Sequence, residues 1–475
     1  MHLINKNFIV VVFVAISFAL SGADAHAVKL PDWAKTVGSK NKPAGKYRVK
    51  VDAPGDGTTV VTRQIQAAID DCAAKGGGRV EFGPGVYLTG AVYVKSHVDL
   101  HIGKGVTLKA VNNTGDFPDI STRVAGIEMV WPSAVINVID QENAAVTGEG
   151  TVDGDGKYLW DRYWEMRRDY EKRGLRWIVD YDCKRVRSLL VSGSRDVTIQ
   201  GLTFLRAGFW TVQVLYSSQC TIDGIKIRNN VGGHGPSTDG IDIDSSDHIL
   251  VENCDIDCND DNICLKAGRD ADGLRVNRPT EYVLIRKCTA RKGAGLMTCG
   301  SETSGDIRYI YCVDSKAMGT SAALRVKSAM TRGGTVEHIY MDNITVDGAG
   351  YILNCDMNWN PSYSYSKLPE EYEGKELPPH WKIMLTQVSP EQGLPAFKDI
   401  NISNLKGKNV KTFINCVGTE NSIIDGVNLK NIKVEAGKAG SVRYTNNCQM
   451  DKVQLKTSDG SAINESYNTN LVMNR

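Results

Sequence analysis

The feature that most constrains this chain is a six-position pattern recurring between residues 197 and 432: apolar, any, apolar, any, glycine or polar, apolar. It reads VTIQGL from Val197, CTIDGI from Cys220, ILVENC from Ile249, VLIRKC from Val283, a looser IYCVDS from Ile310, IYMDNI from Ile339, INISNL from Ile400 and VNLKNI from Val427. The starts lie 23–34 residues apart, except for one gap of 61 that is about two periods. Alternation of period two marks short strands with one buried face. Strands returning at a steady interval mark a solenoid or a propeller. A propeller needs four strands per blade and a longer period. The pattern therefore predicts an all-β parallel β-helix whose inward residues stack from turn to turn, roughly 4.8 Å apart.

Composition bears on partners and compartment. Lys plus Arg (56) and Asp plus Glu (55) nearly cancel, so no global basic field points to nucleic acid, and a charged ligand must be met locally. The first residues, MHLINKNFIVVVFVAISFALSGADAHA, place Lys6 before an apolar run from Phe8 to Leu20, with small-residue cleavage points ending at Ala25 or Ala27. This predicts a signal peptide over 1–27 and one exported catalytic domain over 28–475, periplasmic or extracellular, with no membrane span after cleavage. The expected oligomeric state is a monomer. Among the 12 Cys there is no C-x-x-C pair. Cys254 and Cys288 share the last position of the repeat, which predicts stacked interior thiols rather than cross-links.

Ahead of the repeats, TRQIQAAIDDCAAKGGG puts Ile65, Ala68, Ile69, Cys72 and Ala73 at helical spacing, with Thr62 as N-cap and Gly76 beyond the end. Such a helix suits the role of a cap over the open end of a solenoid. Residues 154–188 and 355–385 break the rhythm with aromatic, charged and proline residues, and they read as insertions that shape a binding site.

Chemistry converges on GPSTDGIDIDSSDHILVENCDIDCNDDNICLKAGRD, residues 235–270. Asp260 follows Asp239 by 21 residues, close to one turn, and Arg325 follows two turns later. Neighbouring rungs would bring these side chains within reach of a single sugar ring. Three crowded carboxylates, Asp239, Asp260 and Asp261, raise at least one pKa, so that a proton donor and a base coexist. That pairing is what glycoside hydrolysis needs. Which acid of the pair points outward depends on a bend near Asn259. Arg325 and Lys327, two apart on one strand face, suit a substrate carboxylate. Asp242, Asp244, Asp255 and Asp257 alternate with apolar residues and read as an exposed strand face.

The segments STDGIDI, CNDDNICLKAG, GAGLMTCGS and LRVKS resemble, in order and spacing, the four blocks of glycoside hydrolase family 28, the polygalacturonase-like pectinases. Those blocks are usually N-T-D, D-D, G-H-G and R-I-K. The opening DGTTVVTRQIQAAIDDCAAKGGGRVEFGPGVYLTG is similar too. The resemblance implies a right-handed parallel β-helix and inverting hydrolysis without metal or cofactor, acting on pectin, an acidic plant cell-wall polysaccharide. It further implies Asp260 as general acid, Asp239 and Asp261 as the residues that activate water, and Arg325 with Lys327 on the galacturonate carboxylate. Ser237 replaces the usual Asn, and Ala294 replaces the usual His, which points toward rhamnogalacturonan as an alternative substrate. His234, Lys266 and Glu302 are further substrate-binding candidates. Arg269 stands beside Lys266 as a candidate or a plain surface cation, and Trp210 as core or sugar platform. The two insertions would wall one end of a groove, so exo release of galacturonic acid is the expected mode. The alternatives are a rhamnogalacturonan-specific endo-hydrolase, a calcium-dependent pectate lyase and a non-catalytic carbohydrate-binding solenoid.

Overall fold

A computed structural model describes residues 30–474, so the signal-peptide assignment at 1–27 lies outside the described residues. The chain winds into a right-handed parallel β-helix, the hand that right-twisted strands impose on their crossovers. Its strands form one 34-stranded sheet wrapped around a single apolar core. The repeated pattern forms one face of the coil. Ile199, Ile222, Val251, Ile285, Cys312, Met341, Ile402, Leu429 and Met450 pair in register, each one rung above the last. All twelve cysteines are buried and free, as the stacked-thiol reading expects. Helix α1, Thr62–Ala74, buries Ile65, Ala68, Ile69 and Cys72 at the N-terminal end of the stack. Among the described residues no helix is long and apolar enough to cross a membrane.

A second face carries the acids. Its rungs run Leu189–Ser192, Val212–Leu215, Ile241–Asp244, Ile263–Lys266, Gly295–Cys299, Ala322–Lys327 and Tyr351–Asp356. Ile241, Ile243, Ile263, Leu265, Met297, Cys299, Leu324 and Val326 point into the coil, so the residues between them point out. That outward side is roofed. An antiparallel hairpin, Asp119–Val124 with Ile127–Pro132, lies over it. The first insertion folds as α2, Lys157–Lys172, and α3, Val179–Asp182. A short helix, α4, spans Asp270–Val276, and the second insertion packs Trp381 and Met384 against Trp131, Trp177 and Tyr181.

The roof corrects one expectation. Asp242 and Asp244 do point away from the core, but both are fully buried rather than solvated. Asp244 receives Arg123 of the hairpin at 2.9 Å. Asp255 and Asp257 sit on a third, unroofed face and are partly exposed, as alternation suggested.

Candidate active site

Asp239 ends the turn before Ile241–Asp244, and Asp260–Asp261 end the turn before Ile263–Lys266. Gly240 donates its backbone N–H to the Asp261 carbonyl at 2.9 Å, and Ala294 donates to the Asp260 carbonyl at 2.8 Å. One turn of coil therefore separates Asp239 from the acid pair, and one more separates the pair from Ala294. The bend expected near Asn259 is present over residues 259–260. It leaves Asp260 half-buried and Asp261 buried. Gly293 is needed to close this approach: its φ is +94°, and an added Cβ would lie 2.3 Å from the Asp260 carbonyl oxygen.

The three acids are treated differently by their surroundings. Asp261 accepts from Thr298 Oγ1 at 2.7 Å, Lys327 Nζ at 2.8 Å and Arg325 Nη1 at 3.3 Å. Burial opposes its ionisation, yet Lys327 and Arg325 hold its carboxyl far below the usual carboxylate range. The Asp260 carboxylate accepts a single hydrogen bond among the described residues, from the Asp261 N–H at 3.0 Å. Burial and the negative charge of Asp261 push it up. Burial and the charge of Asp260 push Asp239 up to about 8, against the pull of Lys266. The cluster thus holds one firmly ionised carboxylate beside two whose ionisation is made harder, and the three titrate as a set.

Lys266 organises the floor. Its Nζ lies 3.5 Å from Asp239, 3.5 Å from Asp242 and 3.3 Å from Glu302, and 4.7 Å from the centre of the Trp210 ring. Burial alone would raise Glu302, but Lys266 and Lys327 hold it at about 2. Burial and Asp239 keep Asp242 well above the ordinary range. Glu302 therefore shields part of the Lys266 charge from Asp239. Replacing Glu302 by Gln frees that charge and removes an anion, so Asp239 and the proton donor Asp260, both of which Lys266 pulls down, lose their protons at lower pH. The alkaline limb of kcat/KM, where the proton donor is lost as pH rises, is expected to move to lower pH. A limb that stays put or moves up in a pH–rate series would contradict this account.

These residues line one pocket. Asp239, Asp260, Asp261, Lys266, Glu302 and Lys327 belong to its wall, with Trp210. Trp210 is 3% exposed and stacks on Phe209 at 5.0 Å. Arg325 stands beside the pocket with its guanidinium 5.3 Å from the Trp359 ring, and Lys327 Nζ is 4.3 Å from the same ring. His234 is exposed, stacked on Trp164 at 5.3 Å, and outside the pocket wall. Arg269 is neither a surface cation nor a wall residue. It is fully buried and donates to Tyr181 Oη at 2.8 Å and to the Tyr363 carbonyl at 2.8 Å. Four further wall residues, Arg176, Asp180, Trp359 and Tyr363, come from the two insertions. Sequence reasoning marked those segments as site-shaping but not these residues, which follow no period.

Comparison with known proteins settles the family. The model of Glycosyl hydrolases family 28 matches residues 72–369. The chain belongs to that family. This family 28 protein is a glycoside hydrolase, as the four blocks implied. It is 26% identical over 408 residues to a probable polygalacturonase of Vitis vinifera, covering 82% of this chain and 74% of that one. An endo-polygalacturonase of Pectobacterium parmentieri is 25% identical over 439 residues, covering 91% and 97%. In fold, the family 28 protein is similar to the crystal structure of a hyperthermoactive exopolygalacturonase from Thermotoga maritima, with a TM-score of 0.68 at 23% identity, covering 93% and 94%.

Proposed function

We propose that this glycoside hydrolase acts outside the cytoplasm, as a monomer, on pectin, releasing galacturonic acid from non-reducing chain ends by inverting acid/base hydrolysis. In this reading Asp260 protonates the glycosidic oxygen as the C–O bond breaks. Asp261, the firmly ionised acid, and Asp239 hold the water that attacks the anomeric carbon from the opposite face; its proton passes to the Asp261 carboxylate. Arg325 and Lys327, already beside Asp261, bind a substrate carboxylate.

The observation that carries the exo reading is the wall. Arg176 and Asp180 from one insertion, and Trp359 and Tyr363 from the other, stand around the acids, where an internal segment of a long polymer would have to pass. Incubation with a defined oligogalacturonide is expected to yield galacturonic acid and the next shorter oligomer from the start of the reaction. An early ladder of mid-sized products would sink the exo assignment. Parallel digestion of rhamnogalacturonan fragments tests the reading favoured by Ala294, in which the missing imidazole accompanies a changed substrate. A calcium-dependent lyase is disfavoured by the donor set. Among the described residues, the metal-ligand group at this site is Asp239 and Asp261 with the Cys264 thiol within 4.8 Å, and two cations occupy Asp261. Activity that EDTA leaves unchanged, without a new ultraviolet-absorbing double bond in the product, separates hydrolysis from elimination.

A further inference from the structure

We propose that Thr298 is a positioning residue for the hydrolytic step: its hydroxyl clamps one oxygen of Asp261 and so leaves the other as the atom that takes the water's proton. This rests on the reading of Asp261 as the acceptor of that proton. It deepens that reading by naming the acting oxygen and the side chain that selects it.

The register places Thr298 behind the acids. Strand Gly295–Cys299 lies between Ile263–Lys266 and Ala322–Lys327, and Thr298 pairs with Cys264 on one side and Arg325 on the other. Met297 and Cys299 fill the core, so Thr298 points outward, toward the carboxylate that precedes Ile263–Lys266. Its Oγ1 donates to Asp261 Oδ1 at 2.7 Å. Thr298 is fully buried and outside the pocket wall, so it acts on substrate only through Asp261. Gly295 makes room for the hydroxyl: an added Cβ there would lie 2.3 Å from Thr298 Oγ1. The same glycine offers its backbone N–H to Asp261 Oδ1 at 3.4 Å.

The two oxygens of Asp261 are occupied unequally. An ionised carboxyl oxygen has about two lone-pair directions. Oδ1 spends both, on Thr298 at 2.7 Å and Arg325 at 3.3 Å, with the longer Gly295 contact besides. Oδ2 accepts from Lys327 at 2.8 Å. The Cys264 thiol stands 3.7 Å from Oδ2, but it has one hydrogen and the Gly300 carbonyl is nearer, at 3.3 Å. Oδ2 therefore keeps a direction free for water. Carboxylate oxygens of Asp261 and Asp239 approach within 4.8 Å, a gap that one water spans with a hydrogen bond to each. Arg325 answers to the substrate carboxylate as well as to Oδ1, whereas the Thr298 hydroxyl has no other acceptor among the described residues. Thr298 thus holds Oδ1 throughout the reaction and keeps the carboxylate from exchanging its two oxygens in the site.

Thr298→Val tests this, because it keeps the shape of the side chain and removes only the donor. It is expected to lower kcat roughly 10- to 100-fold, the worth of a hydrogen bond to a charged group, while KM for an oligogalacturonide stays unchanged. Thr298→Ser, which returns the hydroxyl without the methyl, is expected to recover most of the rate. A purely structural role predicts the reverse order, since Val fills the site and Ser leaves a gap. An unchanged kcat in the Val protein overturns the inference. So does a Ser protein as slow as the Val one, or a rise in KM that accounts for the whole loss. Should the Val protein fail to fold, Thr298→Ala against Thr298→Ser makes the same comparison. Asp261→Asn separates this inference from the reading beneath it. A rate kept in Asp261→Asn overturns Asp261 as the proton acceptor. A rate lost there, beside an undiminished Thr298→Val, overturns the clamp alone.

Discussion

Replacing Asp260 by Asn is expected to lower kcat by roughly 10²- to 10⁴-fold, the usual contribution of a general acid, while the protein stays folded. The side chain is half-buried and open to the pocket, and its one hydrogen bond is accepted from the Asp261 N–H. An amide oxygen can accept that bond equally well, so the backbone around the bend is kept. What is lost is the proton that the glycosidic oxygen needs. Asp260 is also held above its ordinary pKa by burial and by Asp261, so a neutral amide relieves repulsion and leaves stability unchanged or slightly raised. Single-turnover release of reducing sugar and a thermal melt measure the two effects together. A non-catalytic solenoid would show no activity to lose, and a variant with a tenth or more of the parent rate would remove Asp260 from the acid role.

The largest structural effect is expected from Arg269→Met. Arg269 donates to Tyr181 of the first insertion, to the Tyr363 and Ser364 carbonyls of the second, and to Asp270 at the start of α4. Asp270 is in turn held by Arg332 and by Thr331 Oγ1. Removing one member of such a buried charged set costs about 3–5 kcal/mol, because the partners stay buried without it. The loss should be local, since few of these bonds involve the coil itself. Hydrogen exchange is expected to quicken across residues 157–182 and 361–384 while the rungs beneath keep their protection, with kcat/KM falling as the wall loosens. Exchange that quickens uniformly along the coil, or nowhere, would show that Arg269 does not join the two insertions.

Much of this was legible in the residues because a solenoid makes distant positions local. Ile199, Ile222 and Val251 announce their stacking by alternation alone, and the 21-residue step from Asp239 to Asp260 translates directly into neighbouring rungs. Alternation also states which way Asp242 and Asp244 point. It does not state what covers them, and their burial depends on a hairpin more than a hundred residues earlier in the chain. Arg123 meets Asp244 only because two antiparallel strands without any repeat signature fold over that face. Arg176 and Asp180 were hidden for a related reason: they lie in an aperiodic insertion, where charge and aromatic content signal a site but spacing assigns no direction. Arg269 stood between substrate contact and surface cation because its neighbours in sequence say nothing of the tyrosine and carbonyls that surround it.

The interior column of sulfur gives the folded and unfolded chains different chemical fates. Twelve thiols are buried, ten of them in the core of the coil and its cap, and several lie directly above one another, as Cys355 does with Cys416. While the coil is closed, burial keeps them out of reach of oxidants. Once it opens, all become available together, and air can join sulfurs that the native stack never pairs. For this molecule durability is therefore a matter of never opening, more than of returning after it has opened.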